Sequence, residues 1–258
     1  DRSPRAQKIL ELLCGRERVG VNELAEQFGV TPMTIRRDLD ELEREKSVMR
    51  THGGAIAASP SVAAFRFHDR HRNCIEAKEA IGREAVTRIT EGMTVIIDTG
   101  TTTLEVARAL PGTGGLRVLT SSLAIASTLF GREGLELVLL GGTVNRGSPD
   151  LSGPLTEDNL SSFRADLVFI GTDAFDRDGI FTHSQQIAGV SKRMIAGSRK
   201  TILVADSSKC GCNEFVKFAA WDEIDELITD DGLDVGQRVM LRDHAGIPFT
   251  MVEVNREQ

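Results

Sequence analysis

The stretch "IIDTGTTTLEVARAL", residues 96–110, combines three local signals. An apolar run ends at Asp98, Gly100 follows, and the hydroxyl side chains of Thr101–Thr103 stand where helical spacing of apolar residues begins. The pattern predicts a buried strand, a tight turn and a helix. Because the first N–H groups of a helix are free and its dipole is positive there, the turn is suited to hold an anion such as phosphate. The alternative is that these threonines only cap the helix. The stretch does not match GxxxxGK[ST], so it does not indicate a nucleoside triphosphate.

Short apolar runs alternate with helical segments along the chain from Lys78 onward. We expect helices near 101–110, 122–131, 154–163 and 186–197. The apolar runs read "TVIIDTG", "LRVLTSS", "LELVLLGG", "ADLVFIGTDAF" and "KTILVADSS", and "DEIDELITD" and "PFTMVEV" follow late in the chain. Strands that alternate with helices predict an α/β fold, in which helices cover both faces of a mostly parallel sheet.

Polar residues follow several of these strands at comparable places. Ser121 follows "RVLT", Asp173 follows "VFIGT" and Lys209 ends "VADSSK". Ligands of such sheets bind beyond the carboxyl ends of the strands, so we expect one shared pocket there. Asp98 and Asp173 are candidates to accept sugar hydroxyls, and Lys209 is a candidate to meet a phosphate or an open-chain carbonyl. The alternatives are that Asp98 only stabilises its own turn and that Lys209 is an ordinary surface lysine.

The N-terminal segment predicts a different structure, with three short helices and a β wing. Apolar residues repeat at helical spacing in residues 4–15, and "VNELAEQFGV" predicts a second helix that Asn22 caps and Gly29 ends. In "TPMTIRRDLDELEREK" Thr31 is the expected N-cap and Pro32 the first helical residue. Helix, turn and helix in this order predict a helix-turn-helix, and "SVMRTHGGAIA" predicts the wing.

The start of the third helix carries the candidate DNA contacts. Met33, Arg36 and Arg37 lie away from the apolar stripe that includes Ile35, and Thr34 flanks them. Recognition helices meet base edges with their first turns, and arginine pairs with guanine or binds phosphate. Acidic residues fill the rest of the helix, namely Asp38, Asp40, Glu41, Glu43 and Glu45. We therefore expect only the N-terminal end to enter a groove. The alternative is a solvated amphipathic helix with ordinary surface arginines.

Several motifs together resemble the DeoR-type family of bacterial transcriptional repressors of sugar metabolism. They are "VNELAEQFGVTPMTIRRDLDELE" followed by "RTHGGA", and then "IIDTGTTT", "LLGGTV", "FIGTDAFDRDGIFT" and "LVADSSK". The resemblance implies a winged helix-turn-helix over 4–57 and an effector domain that is related in fold to ribose-5-phosphate isomerase and senses phosphorylated sugars. It implies DNA contacts at Thr34, Arg36, Arg37, Arg50 and His52. It implies effector contacts at Asp98, Gly100, Thr101, Thr102, Thr103, Asp173 and Lys209, and Ser121 stands where the family often has Asn.

One departure from the isomerase concerns catalysis. The catalytic glutamate of that enzyme aligns near Gln186 and Ile187, and neither side chain can take a proton from a sugar carbon. No carboxylate stands between Gly179 and Lys192. We therefore expect a pocket that senses a sugar phosphate without converting it.

Composition limits the remaining classes of function. Residues 1–58 hold ten basic and ten acidic side chains, so the net charge of −7 belongs entirely to the remainder. This balance argues against non-specific coating of nucleic acid. The four cysteines have no CxxC spacing, and no apolar run approaches the length of a membrane helix. The opening "DRSPRAQKIL" lacks the apolar region of a secretion signal. We expect a reduced cytoplasmic protein without metal or cofactor.

The sequence thus predicts a DNA-binding domain at 1–57, a linker at 58–78 and a sugar-phosphate-sensing domain at 79–258. We expect a repressor of a carbohydrate-metabolism operon that binds operator DNA and a phosphorylated sugar, as a homo-oligomer (dimer or tetramer) matched to paired half-sites. One alternative is a sugar-phosphate isomerase-like enzyme with a DNA-binding appendage. A second is an architectural DNA-binding protein with a structural α/β body.

Overall fold

The structure, a computed structural model, divides the chain into two compact units. It describes residues 4–15, 18–44, 47–51, 53–57, 67, 70–112, 114–145 and 148–254. The first unit is Asp1–Asp69 with Arg146–Ser148, and the second is Arg70–Asn145 with Pro149–Gln258. Residues 70–78, which the sequence predicted to be part of a linker, thus belong to the second unit. Within the described ranges, no helix is long and apolar enough to cross a bilayer.

The first unit is a winged helix-turn-helix. Its helices are α1 (Pro4–Gly15), α2 (Val21–Phe28) and α3 (Pro32–Arg44), and its strands are β1 (Arg18–Gly20), β2 (Val48–Thr51) and β3 (Gly54–Ala57). The strands form an antiparallel sheet in the order β1-β3-β2, with Val48 opposite Ala57. The apolar faces of the helices pack into one core that includes Ile9, Leu24, Ile35 and Leu39.

Local signals position the second and third helices. The Thr34 N–H donates to Thr31 Oγ1 over 3.3 Å, as expected of an N-cap threonine before Pro32. Gly29 ends α2 in the left-handed conformation, with φ of 62°. The prediction that Asn22 caps α2 is wrong, because the helix begins one residue earlier, at Val21, and the cap residue is Gly20.

The described part of the second unit is built on a seven-stranded parallel sheet. Its strands are β4 (Thr94–Ile97), β5 (Leu116–Thr120), β6 (Leu135–Leu139), β9 (Leu167–Ile170), β12 (Thr201–Val204), β14 (Glu226–Asp230) and β15 (Phe249–Val252). They lie in the order β15-β14-β12-β9-β4-β5-β6. The α/β architecture predicted from the alternating pattern is confirmed. The chain extends the sheet from β4 toward β6 and then, from β9, in the opposite direction toward β15.

Helix α4 (Ile75–Ala85) precedes β4. The helices between the strands are α5 (Thr101–Ala109), α6 (Leu123–Leu129), α7 (Pro154–Ser161), α8 (Gln185–Ala196) and α9 (Val235–Met240). Shorter helical turns cover Val86–Arg88, Ser207–Lys209, Trp221–Glu223 and Leu241–Ala245.

Two small antiparallel sheets have no counterpart in the sequence prediction. One is the pair β7 (Thr143–Val144) and β8 (Leu151–Ser152), and the other joins β10 (Ala174–Asp176), β11 (Gly179–Thr182) and β13 (Val216–Ala219). The run "ADLVFIGTDAF", expected as one strand, is therefore divided between β9 and β10. The stretch "GIFT" is a strand that pairs with β10 and places Ala174 opposite Phe181.

Helices α4 and α5 cross at close range because of one glycine. A Cβ built on Gly82 would lie 2.6 Å from the backbone oxygen of Glu105 and 2.7 Å from its carbonyl carbon. Backbone atoms inside a helix cannot move aside as the end of a side chain can. Gly82 therefore fixes the distance between α4 and the helix that follows the predicted phosphate turn.

We expect Gly82→Ala to lower the free energy of unfolding by about 1–3 kcal/mol through overpacking. The gain in helix propensity, at most about 1 kcal/mol, offsets part of this loss. Urea denaturation of the full chain measures the difference. The matched control is Gly189→Ala in α8, where the nearest atom is the flexible Oε1 of Glu157 at 2.7 Å. Equal stability of the two variants would contradict the close helix crossing.

Candidate effector pocket and DNA-binding surface

A polar pocket lies where the chain reverses its direction across the sheet. The segments that follow β4 and β9 form its centre, and these strands are neighbours. The connections leave the two strands in opposite directions, so a crevice opens between them at their carboxyl ends. The wall comprises Arg70, Asp98, Thr99, Gly100, Thr101, Thr102, Asp150, Gly171, Thr172, Asp173, Thr182, His183, Ile187, Ser191, Lys209 and Phe218.

Most of the predicted effector residues lie in this wall, and two do not. Asp98, Gly100, Thr101, Thr102, Asp173 and Lys209 line the pocket. Thr103 and Ser121 are fully buried outside the wall. The Thr103 hydroxyl donates to the Gly100 carbonyl over 3.1 Å, which stabilises the turn, and the Ser121 carbonyl accepts from the Leu151 N–H. The structure thus gives these two residues positions behind the pocket.

The N-terminus of α5 faces the pocket through Gly100, Thr101 and Thr102. Gly100 has φ of 138°, a conformation that favours glycine, and it lets the chain turn sharply from β4 into the helix. The first N–H groups of this nine-residue helix have no partner within it. This arrangement is the one expected for an anion site.

Asp98 forms part of the floor of the pocket and is almost completely buried. Its Oδ2 accepts from the Gly171 N–H over 3.2 Å, while Oδ1 has no hydrogen-bond partner within the described ranges. Burial raises the pKa of Asp98 to about 7, although hydrogen bonds from the Thr99 and Gly171 backbone act in the other direction. The carboxyl can therefore change its charge near neutral pH and has one oxygen left for a ligand.

Asp173 has the opposite environment. Its Oδ2 accepts from Thr182 Oγ1 over 2.8 Å and lies 2.6 Å from His183 Nδ1, and its Oδ1 is 3.3 Å from Arg70 Nη1. Burial alone would raise the pKa of Asp173, but the hydrogen bond from His183 and the charges of His183 and Arg70 hold it well below its usual range. The same hydrogen bond raises the pKa of His183. Because the carboxylate is already occupied, it serves to orient two cationic side chains.

Arg70 and His183 are the cationic residues of the pocket that sequence reasoning missed. His183 follows β11, and the pairing of β10 with β11 brings it next to Asp173. Arg70 lies in the stretch that was interpreted as a linker. Together with Lys209 they give the pocket three basic side chains.

The two residues near which the sequence alignment put the isomerase glutamate are Gln186 and Ile187. Ile187 in α8 lines the pocket, and Gln186 is exposed. Neither side chain can act as a general base.

The first turns of α3 present the predicted DNA contacts. Arg36 and Arg37 are exposed, and Met33 is 57% exposed. The hydroxyl of Thr34 lies 3.0 Å from that of Thr31, so it also belongs to the cap. The predicted wing residue His52 lies outside the described residues.

Arg50 in the wing is bound to α3 within the unit. Its Nη1 donates to the Arg36 carbonyl over 3.3 Å and lies 3.2 Å from Asp40 Oδ1. Its N–H donates to Glu43 Oε1 over 3.1 Å. These contacts fix the wing against α3, and a DNA contact by Arg50 would compete with them.

One acidic residue of α3 does not belong to the exposed acidic face that the sequence predicted. Asp38 is buried, and its two oxygens accept from Arg5 Nε over 2.6 Å and from Arg5 Nη2 over 3.2 Å. The bidentate pair neutralises this charge and connects α1 to α3.

Comparison with known proteins identifies both units. Residues 5–61 match the DeoR-like helix-turn-helix domain, and residues 73–231 match the DeoR C terminal sensor domain. The chain is 37% identical over 237 residues to the glycerol-3-phosphate regulon repressor of Escherichia coli K12, covering 92% of this chain and 94% of that protein. It is 33% identical over 222 residues to the transcriptional repressor GlcR of Bacillus subtilis, covering 86% of each chain.

Solved structures with a similar fold include two kinds of protein. Ribose 5-phosphate isomerase A of Methanocaldococcus jannaschii matches with a TM-score of 0.37 and 19% identity, over 52% of this chain and 53% of that one. Translation initiation factor eIF-2B of Pyrococcus horikoshii matches with a TM-score of 0.44 and 14% identity, over 86% of each chain. Likeness at this level carries no argument about function.

We expect Arg36→Ala and Arg37→Ala each to weaken operator binding by about 1–3 kcal/mol where the side chain reads a guanine. A pure phosphate contact would instead weaken binding to all sequences alike and reduce the salt dependence. Fluorescence anisotropy with operator and scrambled duplexes at several salt concentrations separates the two cases. Arg44→Ala is the control, because Arg44 is exposed in the last turn of the same helix. Unchanged operator binding by the correctly folded double variant would refute the assignment.

Proposed function

The chain belongs to the DeoR family of helix-turn-helix transcriptional regulators, and from this premise we propose that it represses a carbohydrate-metabolism operon under the control of a phosphorylated sugar. The observation that carries the proposal is the pocket itself. It combines the open N-terminus of α5 with Arg70, His183 and Lys209. Charge-assisted hydrogen bonds make such a set selective for a phosphate group.

The names of relatives support this class of effector. One relative is the glycerol-3-phosphate regulon repressor of Escherichia coli, and another is a putative repressor of the aga operon. Polar side chains around the anion site, including Asp98 and Thr102, are available to a sugar's hydroxyl groups.

Sensing without turnover is the second part of the proposal. The sequence alignment puts the isomerase's general base near Gln186 and Ile187, of which Ile187 lines the pocket and Gln186 is exposed. A turnover assay with aldose and ketose phosphates tests the rival enzyme function directly. Interconversion that depends on residues of the pocket would overturn the sensing proposal.

The DNA-binding unit suggests two partners, which are operator DNA and further copies of this chain. Helix-turn-helix regulators bind paired half-sites through two-fold assemblies, so we propose that this chain acts in the cytoplasm as a homo-oligomer. The neutral N-terminal segment favours binding through local basic positions over a general electrostatic attraction.

A sugar phosphate and operator DNA should influence each other's binding. Linkage requires that a ligand which weakens DNA binding by some factor is itself bound more weakly by the same factor on operator DNA. A typical coupling gives a factor of roughly 5–150. We expect this from titrations of glycerol 3-phosphate, ribose 5-phosphate and glucose 6-phosphate into the protein, with and without operator at fixed salt. Equal affinities for every probe in both titrations would refute control by these ligands.

We assign the preference for a phosphorylated over an unphosphorylated sugar to Lys209 together with the other basic side chains of the pocket. We expect Lys209→Ala to weaken a phosphorylated sugar by about 10-fold or more, and the same sugar without phosphate far less, because a charge-assisted hydrogen bond is lost. Calorimetry measures both affinities. Lys192→Ala is the control, since Lys192 is exposed on α8 outside the pocket wall. Equal affinity of the wild type for both sugars would reject the phosphate role.

A further inference from the structure

We propose that Arg70 exchanges its partner Asp173 for the effector's phosphate, and that this exchange couples the pocket to the DNA-binding unit. The inference rests on the proposed function and assigns the control of DNA binding by the effector to one side chain, that of Arg70. Arg70 is the residue at which the chain, coming from the DNA-binding unit, enters the second unit. Residues 70–74, here called the entry turn, lead from this point into α4.

The guanidinium of Arg70 is held weakly for a group in a polar pocket. Among the described residues its one side-chain contact, from Nη1 to Asp173 Oδ1, is 3.3 Å long, whereas charge-assisted hydrogen bonds are usually about 2.7–2.9 Å. Its Nε is buried and has no hydrogen-bond partner in the described part of the chain. The side chain is 37% exposed and lines the pocket. A phosphate could accept bonds from two nitrogens of this group at once.

Asp173 does not depend on Arg70 for its partners. Its other oxygen accepts from Thr182 Oγ1 over 2.8 Å and from the His183 N–H over 3.2 Å, and it lies 2.6 Å from His183 Nδ1. When Arg70 turns to a ligand, the carboxylate therefore keeps its contacts with Thr182 and His183. A buried charge left without partners would make the exchange costly, and these contacts reduce that cost.

The backbone of the entry turn is fixed to the helices around the anion site. The buried Lys78 ammonium donates to the carbonyls of Arg70 and Asn73, the latter over 2.6 Å. His71 Nε2 lies 2.5 Å from Glu105 Oε1, in the middle of α5. The turn is thus attached both to α4 and to the helix whose N-terminus forms the anion site.

The contacts of the entry turn with α4 and α5 determine how a bound ligand changes the restraint on Arg70. Without a ligand, the Arg70 side chain is held by one long contact. With a phosphate bound at the start of α5, the Arg70 side chain is held through the ligand to the same helix that His71 already contacts. The ligand therefore alters the restraint on the chain that continues into the DNA-binding unit. A difference in restraint between two states is sufficient for coupling between sites.

The test compares Arg70→Gln with Arg72→Gln in the full chain. Arg72 is exposed on the same turn and lies outside the pocket wall, so its variant controls for the loss of one positive charge. Glycerol 3-phosphate, ribose 5-phosphate, glucose 6-phosphate and inorganic phosphate serve as probes. Calorimetry gives each probe's affinity, and fluorescence anisotropy gives operator affinity with and without saturating probe.

We expect Arg70→Gln to bind the effective sugar phosphate about 10-fold or more weakly. At saturating ligand its operator affinity should no longer change, whereas Arg72→Gln should keep the wild-type response. A wild-type response of Arg70→Gln at saturation, or unchanged ligand affinity, would overturn the role of Arg70 while the proposed function stands. A wild type whose operator binding ignores every probe would overturn both, and that result is visible before any variant is made.

Discussion

The side-by-side parallel pairing of β4 and β9 is the constraint on which the pocket depends. It is continued beyond the strands by two bonds, from the Asp98 N–H to the Phe169 carbonyl over 3.0 Å and from the Gly171 N–H to Asp98 Oδ2 over 3.2 Å. These bonds hold the two strand ends together while the following segments diverge. One segment becomes the N-terminus of α5, and the other leads through Asp173 into the small antiparallel sheet. The N-terminus of α5, where we propose that phosphate binds, and a cluster of basic side chains therefore face the same crevice without being close in sequence.

The DNA-binding unit shows how a segment without net charge can present basic side chains. Asp38 is neutralised by Arg5 inside the unit. Asp40 forms an ion pair with the Arg50 side chain of the wing, and Glu43 accepts from the Arg50 N–H. Several acidic groups of α3 are thus used to join the elements of the fold. The exposed arginines at the start of α3 are left in the first turns, where a recognition helix meets base edges. Specific binding by such a surface relies on geometry more than on attraction to phosphate at long range.

Much of the fold could be predicted because its signals are local. The central strands, the helices between them, the Thr31 cap and the glycine turns all follow from periodicity and from conformational preferences within a few residues. The strand β11 and the pocket position of His183 could not be predicted in this way, since both depend on the pairing of Ala174 with Phe181. Arg70 was missed because its stretch has no clear period, and the burial of Asp38 depends on a partner 33 residues away.

Asp98 and Asp173 of the pocket lie in opposite electrostatic environments, and the contrast shows how an anion can bind beside acidic side chains. Asp173 has its charge balanced by Arg70 and His183, so it can stay ionised without opposing a ligand. Within the described ranges Asp98 has no hydrogen bond or ion pair with a basic side chain, and burial raises its pKa to about 7. An approaching phosphate favours the neutral form of this carboxyl still further, because two negative charges in a low-dielectric site repel each other. The neutral acid can donate to the ligand through the oxygen that has no partner within the described ranges. The pocket can thus accept an anion by pairing one acid and protonating the other.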